Sequence, residues 1–161
     1  MQKRKLRDLE VSAIGVGCMG FSHGYGKVPK TEYSINAMRK AFDAGCNFFD
    51  TAEVYGTPDN PHVVFYPGHN EELVGKALSS VRKDVVLATK LHLRPDEVAA
   101  SPCVYDAVKA HLVASMKRLA TDYVDLYYLH RINEEVSFEE VAAAMGRLID
   151  EGLIRGWGMA S

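Results

Sequence analysis

The 161-residue chain has no apolar run near the ~20 residues that a membrane-spanning helix needs, which sets that class aside. Lys3, Arg4, Lys5 and Arg7 crowd the start, but no apolar stretch follows them. They read as a solvated surface strand and not as a secretory signal. An excess of one charge is also lacking, since a net charge of −2 gives no general attraction to nucleic acid. Cysteine is scarce. Cys18, Cys46 and Cys103 are odd in number and widely spaced, with no CxxC pair, which argues against a disulfide framework and against a zinc site. A reducing cytoplasm is the expected compartment. No GxGxxG opens the first helix, which counts against a dinucleotide-binding doubly wound sheet. No GxSxG elbow presents a serine nucleophile, and no HExxH offers a metal pair.

What remains is a chain of ordinary globular make-up, 47% hydrophobic and 25% charged, of a length that suits one domain over residues 1–161. Residues 3–7 and 11–16 read as extended pieces of an N-terminal hairpin, and the latter part of 11–16 as the first strand. A Gly-rich loop over 20–30 follows, containing His23. Thr31 is expected to cap a helix with Ile35, Met38, Ala41 and Phe42 on one face, stopped by Gly45. The second strand is 46–50. A long loop near 56–69 precedes a helix that Asn70 is expected to cap. The third strand is 85–89, leading into Lys90, followed by a loop over 91–103. A helix over 104–119, a strand over 124–129 ending at His130, a Ser137-capped helix and a last strand over 154–159 complete the chain.

Strand-helix alternation of this kind gives a parallel sheet with right-handed crossovers. An open doubly wound sheet and a β/α barrel both satisfy it, although a complete barrel needs eight units and about 250 residues.

One stretch organises the rest: Asn47-Phe48-Phe49-Asp50-Thr51-Ala52-Glu53-Val54-Tyr55-Gly56. A short apolar strand ends in an acid, and a tyrosine follows five residues later. Two later strands end in Lys90 and His130. Parallel strands point their C-termini the same way, so Asp50, Tyr55, Lys90 and His130 can converge on the face where such folds build their sites. The chemistry is coherent. A free tyrosine titrates near ~10, and an ammonium beside a phenol favours the phenolate. A carboxylate would keep the ammonium charged. An imidazole could orient a carbonyl oxygen. Together they would protonate a developing alkoxide, with hydride coming from a nicotinamide cofactor. Asp50 and His130 alone are too few ligands for a metal site.

These residues carry a resemblance to the aldo-keto reductase family. The matching pieces are Gly15-Val16-Gly17-Cys18-Met19-Gly20, the Phe48–Gly56 stretch, Asn70-Glu71-Glu72-Leu73-Val74-Gly75, Ala88-Thr89-Lys90, Val124 through Arg131, and Gly152 through Gly158, in family order. The resemblance implies a parallel (βα) barrel of TIM type, here its first five strands, with the hairpin plugging the base. It implies NADPH-dependent reduction of aldehydes or ketones, a small-molecule carbonyl substrate, and Asp50, Tyr55, Lys90 and His130 as the catalytic tetrad. Cys18, Met19, Asp50 and Ser161 would face the cofactor. The family pattern at the last strand is Gly-x-Ser followed by Asn or Gln, and here it reads Gly158-Met159-Ala160-Ser161. Strands six to eight, which in the family carry the grip on the adenosine phosphate, have no counterpart among the five strands counted. The chain is therefore expected to be the N-terminal part of a longer enzyme, or a half that pairs with a second copy through its open edges. The alternative is an NADPH-binding module or fragment without turnover.

Overall fold

The computed structural model describes residues 1–22, 24–56 and 68–160. Strands β1 (Lys3–Leu6) and β2 (Leu9–Ser12) form the antiparallel hairpin. Then come β3 (Val16–Gly17), helix α1 (Thr31–Asp43), β4 (Phe48–Asp50), α2 (His69–Leu78), β5 (Val86–Leu91), α3 (Pro95–Ala100), α4 (Val104–Leu119), β6 (Val124–Leu129), α5 (Phe138–Asp150) and β7 (Ile154–Met159).

The five later strands pair in parallel in the order β3-β4-β5-β6-β7. This settles the alternative that the sequence left open. In a doubly wound sheet the order reverses at a switch point and helices cover both faces. Here the chain never reverses, so every helix lies on one side and the other side is the concave face of a barrel arc.

Side-chain alternation along the strands separates the two faces. Phe49 on β4, Leu87 and Leu91 on β5, and Tyr127 and Leu129 on β6 point outward. They pack in one buried cluster with Met38 of α1, Val74 of α2, Leu112 of α4 and Leu148 of α5. Phe48, Val86 and Leu126 point inward at the bottom of the strands and pack with Leu9 and Val11 of the hairpin. The hairpin therefore closes the N-terminal end of the arc.

Several local predictions need correction. Helix α1 is capped at Lys30, with Thr31 already helical and Ser34 N bonded to Lys30 O at 3.1 Å. The stop is as read: Gly45 follows the helix at φ +91°, a conformation that favours glycine. Helix α2 begins at His69 after Gly68, so Asn70 is inside it, and its amide turns inward. The loop after β5 contains α3, which has Pro95 at its first position and closes with Arg94 N donating to Glu97 Oε2. Its six residues carry too little apolar periodicity to be seen in the sequence. Ser137 caps α5 as predicted, accepting from Glu140 N at 3.3 Å.

Two polar links bridge the sheet to its helices. Asp125 of β6 is 1% exposed. Its Oδ2 pairs with Arg82 at 2.9 Å and accepts from Leu87 N at 2.9 Å. Its Oδ1 has the Arg155 guanidinium at 3.2 Å, in ionic contact without hydrogen-bond alignment. Glu71 of α2 is fully buried, accepting from Thr89 Oγ1 and Arg118 Nε, each at 2.6 Å. Burial pushes the Glu71 carboxyl up, and the Arg118 charge pulls against that shift. Among the described residues no helix is long and apolar enough to cross a membrane.

Candidate active site

The inward alternation places Asp50, Lys90 and His130 on the concave face at the open ends of β4, β5 and β6. After β4 ends, its backbone stays on β5: Thr51 N donates to Ala88 O at 2.9 Å and Glu53 N to Lys90 O at 3.2 Å. That continued pairing carries the chain over the lip and folds Tyr55 back against Lys90.

The Lys90 ammonium has three donors and meets three acceptors: Asp50 Oδ1 at 2.5 Å, Thr51 O at 2.7 Å and the Tyr55 hydroxyl oxygen at 3.2 Å. Its position is thus fixed by a carboxylate, a carbonyl and a phenol together. Tyr55 is buried, and its ring meets His130 edge-on with centroids 5.8 Å apart. His130 N donates to Leu91 O at 2.8 Å, which seats the residue at the top of β5. Burial first, then the charges of Lys90, Arg131 and His92, bring His130 down to about 4, so the imidazole is neutral near pH 7. Among the described residues its buried Nδ1 has no hydrogen-bond partner.

The four residues that the sequence singles out as a tetrad therefore come together. The residues expected to face a cofactor divide differently. Asp50 is in the cluster. Met19 lies half-buried in a single helical turn directly after β3. The Cys18 thiol, by contrast, is fully buried, 3.7 Å from Val16 O and 3.9 Å from Met38 Sδ, so it is a packing group against α1 and not a wall of an open pocket. Burial pushes that thiol far up, which makes it inert. Ser161 lies outside the described residues, as do His23 and the bulky His62, Phe65 and Tyr66 of the long loop.

Three residues to which the sequence reading gave no place in the site also shape it. Asn70 accepts from Thr51 Oγ1 at 2.6 Å and donates to Cys18 O at 2.9 Å and Ser22 Oγ at 2.8 Å. It ties the ends of β3 and β4 to α2. Tyr128 faces inward beside Lys90, and its ring occupies room that Gly158 leaves, where a Cβ would come within 3.0 Å. Glu53 is 4% exposed and accepts from His92 N and His111 Nδ1. A glutamate inside the apolar run Ala52-Glu53-Val54 was the available signal for the last of these.

Gly17 pairs with Asp50 across β3 and β4, and among the described residues a Cβ built on Gly17 meets nothing within 4 Å. Among the described residues no group of three His, Cys, Asp or Glu side chains is placed to hold a metal ion.

Comparison with known proteins agrees with this geometry. The sequence model of the Aldo/keto reductase family matches residues 13–161. The uncharacterized oxidoreductase YqkF of Bacillus subtilis (strain 168) is 35% identical over 167 residues, spanning 100% of this chain and 49% of that protein. The holo form of the aldo-keto reductase AKR11C1 from Bacillus halodurans superposes with a TM-score of 0.76 at 31% identity, over 99% of this chain and 50% of that one. An aldo-keto reductase from Klebsiella pneumoniae in complex with NADPH gives a TM-score of 0.73 at 31% identity, over 100% of this chain and 50% of that one. The chain spans about half the length of the relatives it matches. Its five parallel strands are an arc of a TIM-type barrel with the hairpin at the base, and the chain belongs to the aldo/keto reductase family.

Proposed function

We propose that the chain carries the proton-donating half of an NADPH-dependent carbonyl reductase, with Tyr55 as the acid that completes reduction of an aldehyde or ketone to an alcohol. The observation that carries this reading is the single ammonium of Lys90 held against Asp50, Thr51 O and the Tyr55 hydroxyl at once.

The residues present fit the nicotinamide end of such a cofactor. Among the described residues, the space over Gly17 beside Asp50 is unfilled. When bound, the reduced nicotinamide supplies the hydride. The chain's own residues do the remaining work. His130, neutral near pH 7, orients the carbonyl oxygen through its imidazole. Tyr55 donates its phenolic proton to that oxygen as negative charge develops there. Lys90, 3.2 Å from the phenol oxygen, stabilises the charge left behind, and Asp50 keeps the ammonium in place.

The Klebsiella relative in its NADPH complex supports the choice of cofactor. Three free cysteines, two of them buried, suit a reducing cytoplasm, which we take as the compartment. Strands β3 and β7 each bond to one neighbour only among the described residues, so association of copies through these edges belongs to the same proposal and is read by sedimentation.

The test follows NADPH oxidation by absorbance, using the whole chain and a small aromatic aldehyde. Turnover that collapses in Tyr55→Phe while cofactor affinity stays is the expected result. Cofactor binding without turnover would move the chain to the alternative of a non-catalytic NADPH-binding module.

A further inference from the structure

Outside the tetrad, a cleft of about 470 Å³ lies between the turn after β4, the segment after β5 and helix α4. It shares no lining residue with Asp50, Tyr55, Lys90 or His130. A chain of three titratable groups crosses it. His111 of α4 places Nδ1 2.9 Å from Glu53 Oε2 and Nε2 3.3 Å from Glu97 Oε2 of α3. Arg94 pairs with Glu97 at 3.3 Å, and His92 and Arg118 face the same space.

Glu53 joins this chain to the tetrad. Its carboxylate accepts from His92 N, its own N donates to Lys90 O, and its carbonyl accepts from Gly68 N at 2.9 Å. Three bonds thus hold one residue, two positions before Tyr55. The carboxylate is buried, and an unpaired buried charge is costly, so its imidazole partner matters to the turn.

We infer that Glu53 and His111 are positioning residues for Tyr55: the α4 imidazolium clamps the Glu53 carboxylate, and the carboxylate clamps the turn that presents the phenol. This rests on reading Tyr55 as the acid. The clamp is strongest while His111 is protonated, when both partners carry charge. Burial alone would lower the His111 pKa, but the Glu53 hydrogen bond and charge, with Glu97 behind them, overcome that and raise it. The raised value makes the grip full below the ordinary histidine range and weakens it as pH rises through the folded-state pKa.

The experiment uses the whole chain labelled with ¹³C at histidine and tyrosine rings, titrated by NMR. His111 should titrate above the ordinary histidine range, and the Tyr55 ring signal should step with the same midpoint. Glu53→Gln should abolish the upward shift. His111→Gln, which keeps an N–H donor and decides the matter alone if Glu53→Gln does not fold, should remove the step from Tyr55. On the carbonyl substrate, kcat should fall about tenfold across that midpoint, with KM steady, in the natural protein and not in His111→Gln. A Tyr55 signal indifferent to His111 ionisation, or a His111 midpoint unmoved in Glu53→Gln, overturns the inference. The two readings fail separately. A coupled Tyr55 step without turnover sinks the reductase reading and leaves the clamp, and turnover without the step does the reverse.

Discussion

Lys90 Nζ stands 2.5 Å from Asp50 Oδ1, an ion pair strung between two adjacent parallel strands. Both residues are where they are because inward-facing positions alternate along β4 and β5 and the strands are paired in register, Asp50 opposite Ala88. The pair sets the place of the ammonium that meets Tyr55.

Asp50→Asn keeps the shape of the side chain and removes its charge. The ammonium then loses its ionic partner, with Thr51 O and the phenol still in reach. Turnover should fall by about a hundredfold or more while the chain keeps its fold. Steady-state NADPH oxidation beside far-UV circular dichroism checks both halves. A variant that retains near-normal turnover would deny Asp50 its role.

Asp125→Ala should be among the most damaging single changes. It removes the carboxylate paired with the buried Arg82 guanidinium and orphans Leu87 N, both 2.9 Å from the lost oxygen. Removing one partner of a buried ion pair costs about 3–5 kcal/mol. Urea denaturation with a matched m-value measures it. A loss below about 1 kcal/mol, the range of surface pairs, would contradict the assignment.

Gly75→Ala tests the contact between α2 and α4. A Cβ at Gly75 would sit 2.6 Å from Arg118 O and 2.9 Å from the Leu119 carbonyl carbon, and backbone cannot yield as a flexible side chain does. Overpacking of this kind costs about 1–3 kcal/mol, despite the gain in helix propensity. Thermal unfolding should show a clear drop in Tm, whereas Gly146→Ala, where nothing among the described residues lies within 4 Å, should not lower it.

Acid should weaken the fold through His130. Its folded pKa, about 4, lies below the ordinary 6.5, so the unfolded chain binds the proton more readily. The contribution of His130 to stability is complete above pH 6.5 and is lost as pH falls from there towards 4. Denaturation midpoints measured across that window should decline more in the natural chain than in His130→Gln. Equal declines would mean that His130 titrates as it does in the unfolded chain.

Much of this was legible in the sequence because each feature had a local cause. The helix over 104–119 and the strands over 124–129 and 154–159 match their predicted bounds, since long periodic runs bounded by turn residues leave few alternatives. The convergence of Asp50, Lys90 and His130 was legible because three consecutive strands each carry an ionisable residue at or beside their C-terminal end. What escaped was set by tertiary contacts. Asn70 looks like a helix cap from its neighbours, but the bonds waiting at Thr51, Cys18 O and Ser22 draw it inward. Cys18 stands beside the site in sequence, yet its thiol packs against Met38, twenty residues away. The Glu53–His111 contact spans 58 positions, and no local pattern foretells it.

The strand order has a consequence for how the molecule comes apart. Each strand pairs with the next strand along the chain, so the loops closed on folding are short and the pairings can form in succession. Energetically the arc resembles a row of stacked repeats, where each unit leans on the next and little on those beyond. Fraying at β7 strips bonds from β6 and α5 but leaves the β4–β5 seam, which holds the Asp50–Lys90 pair, two strands away from the damage.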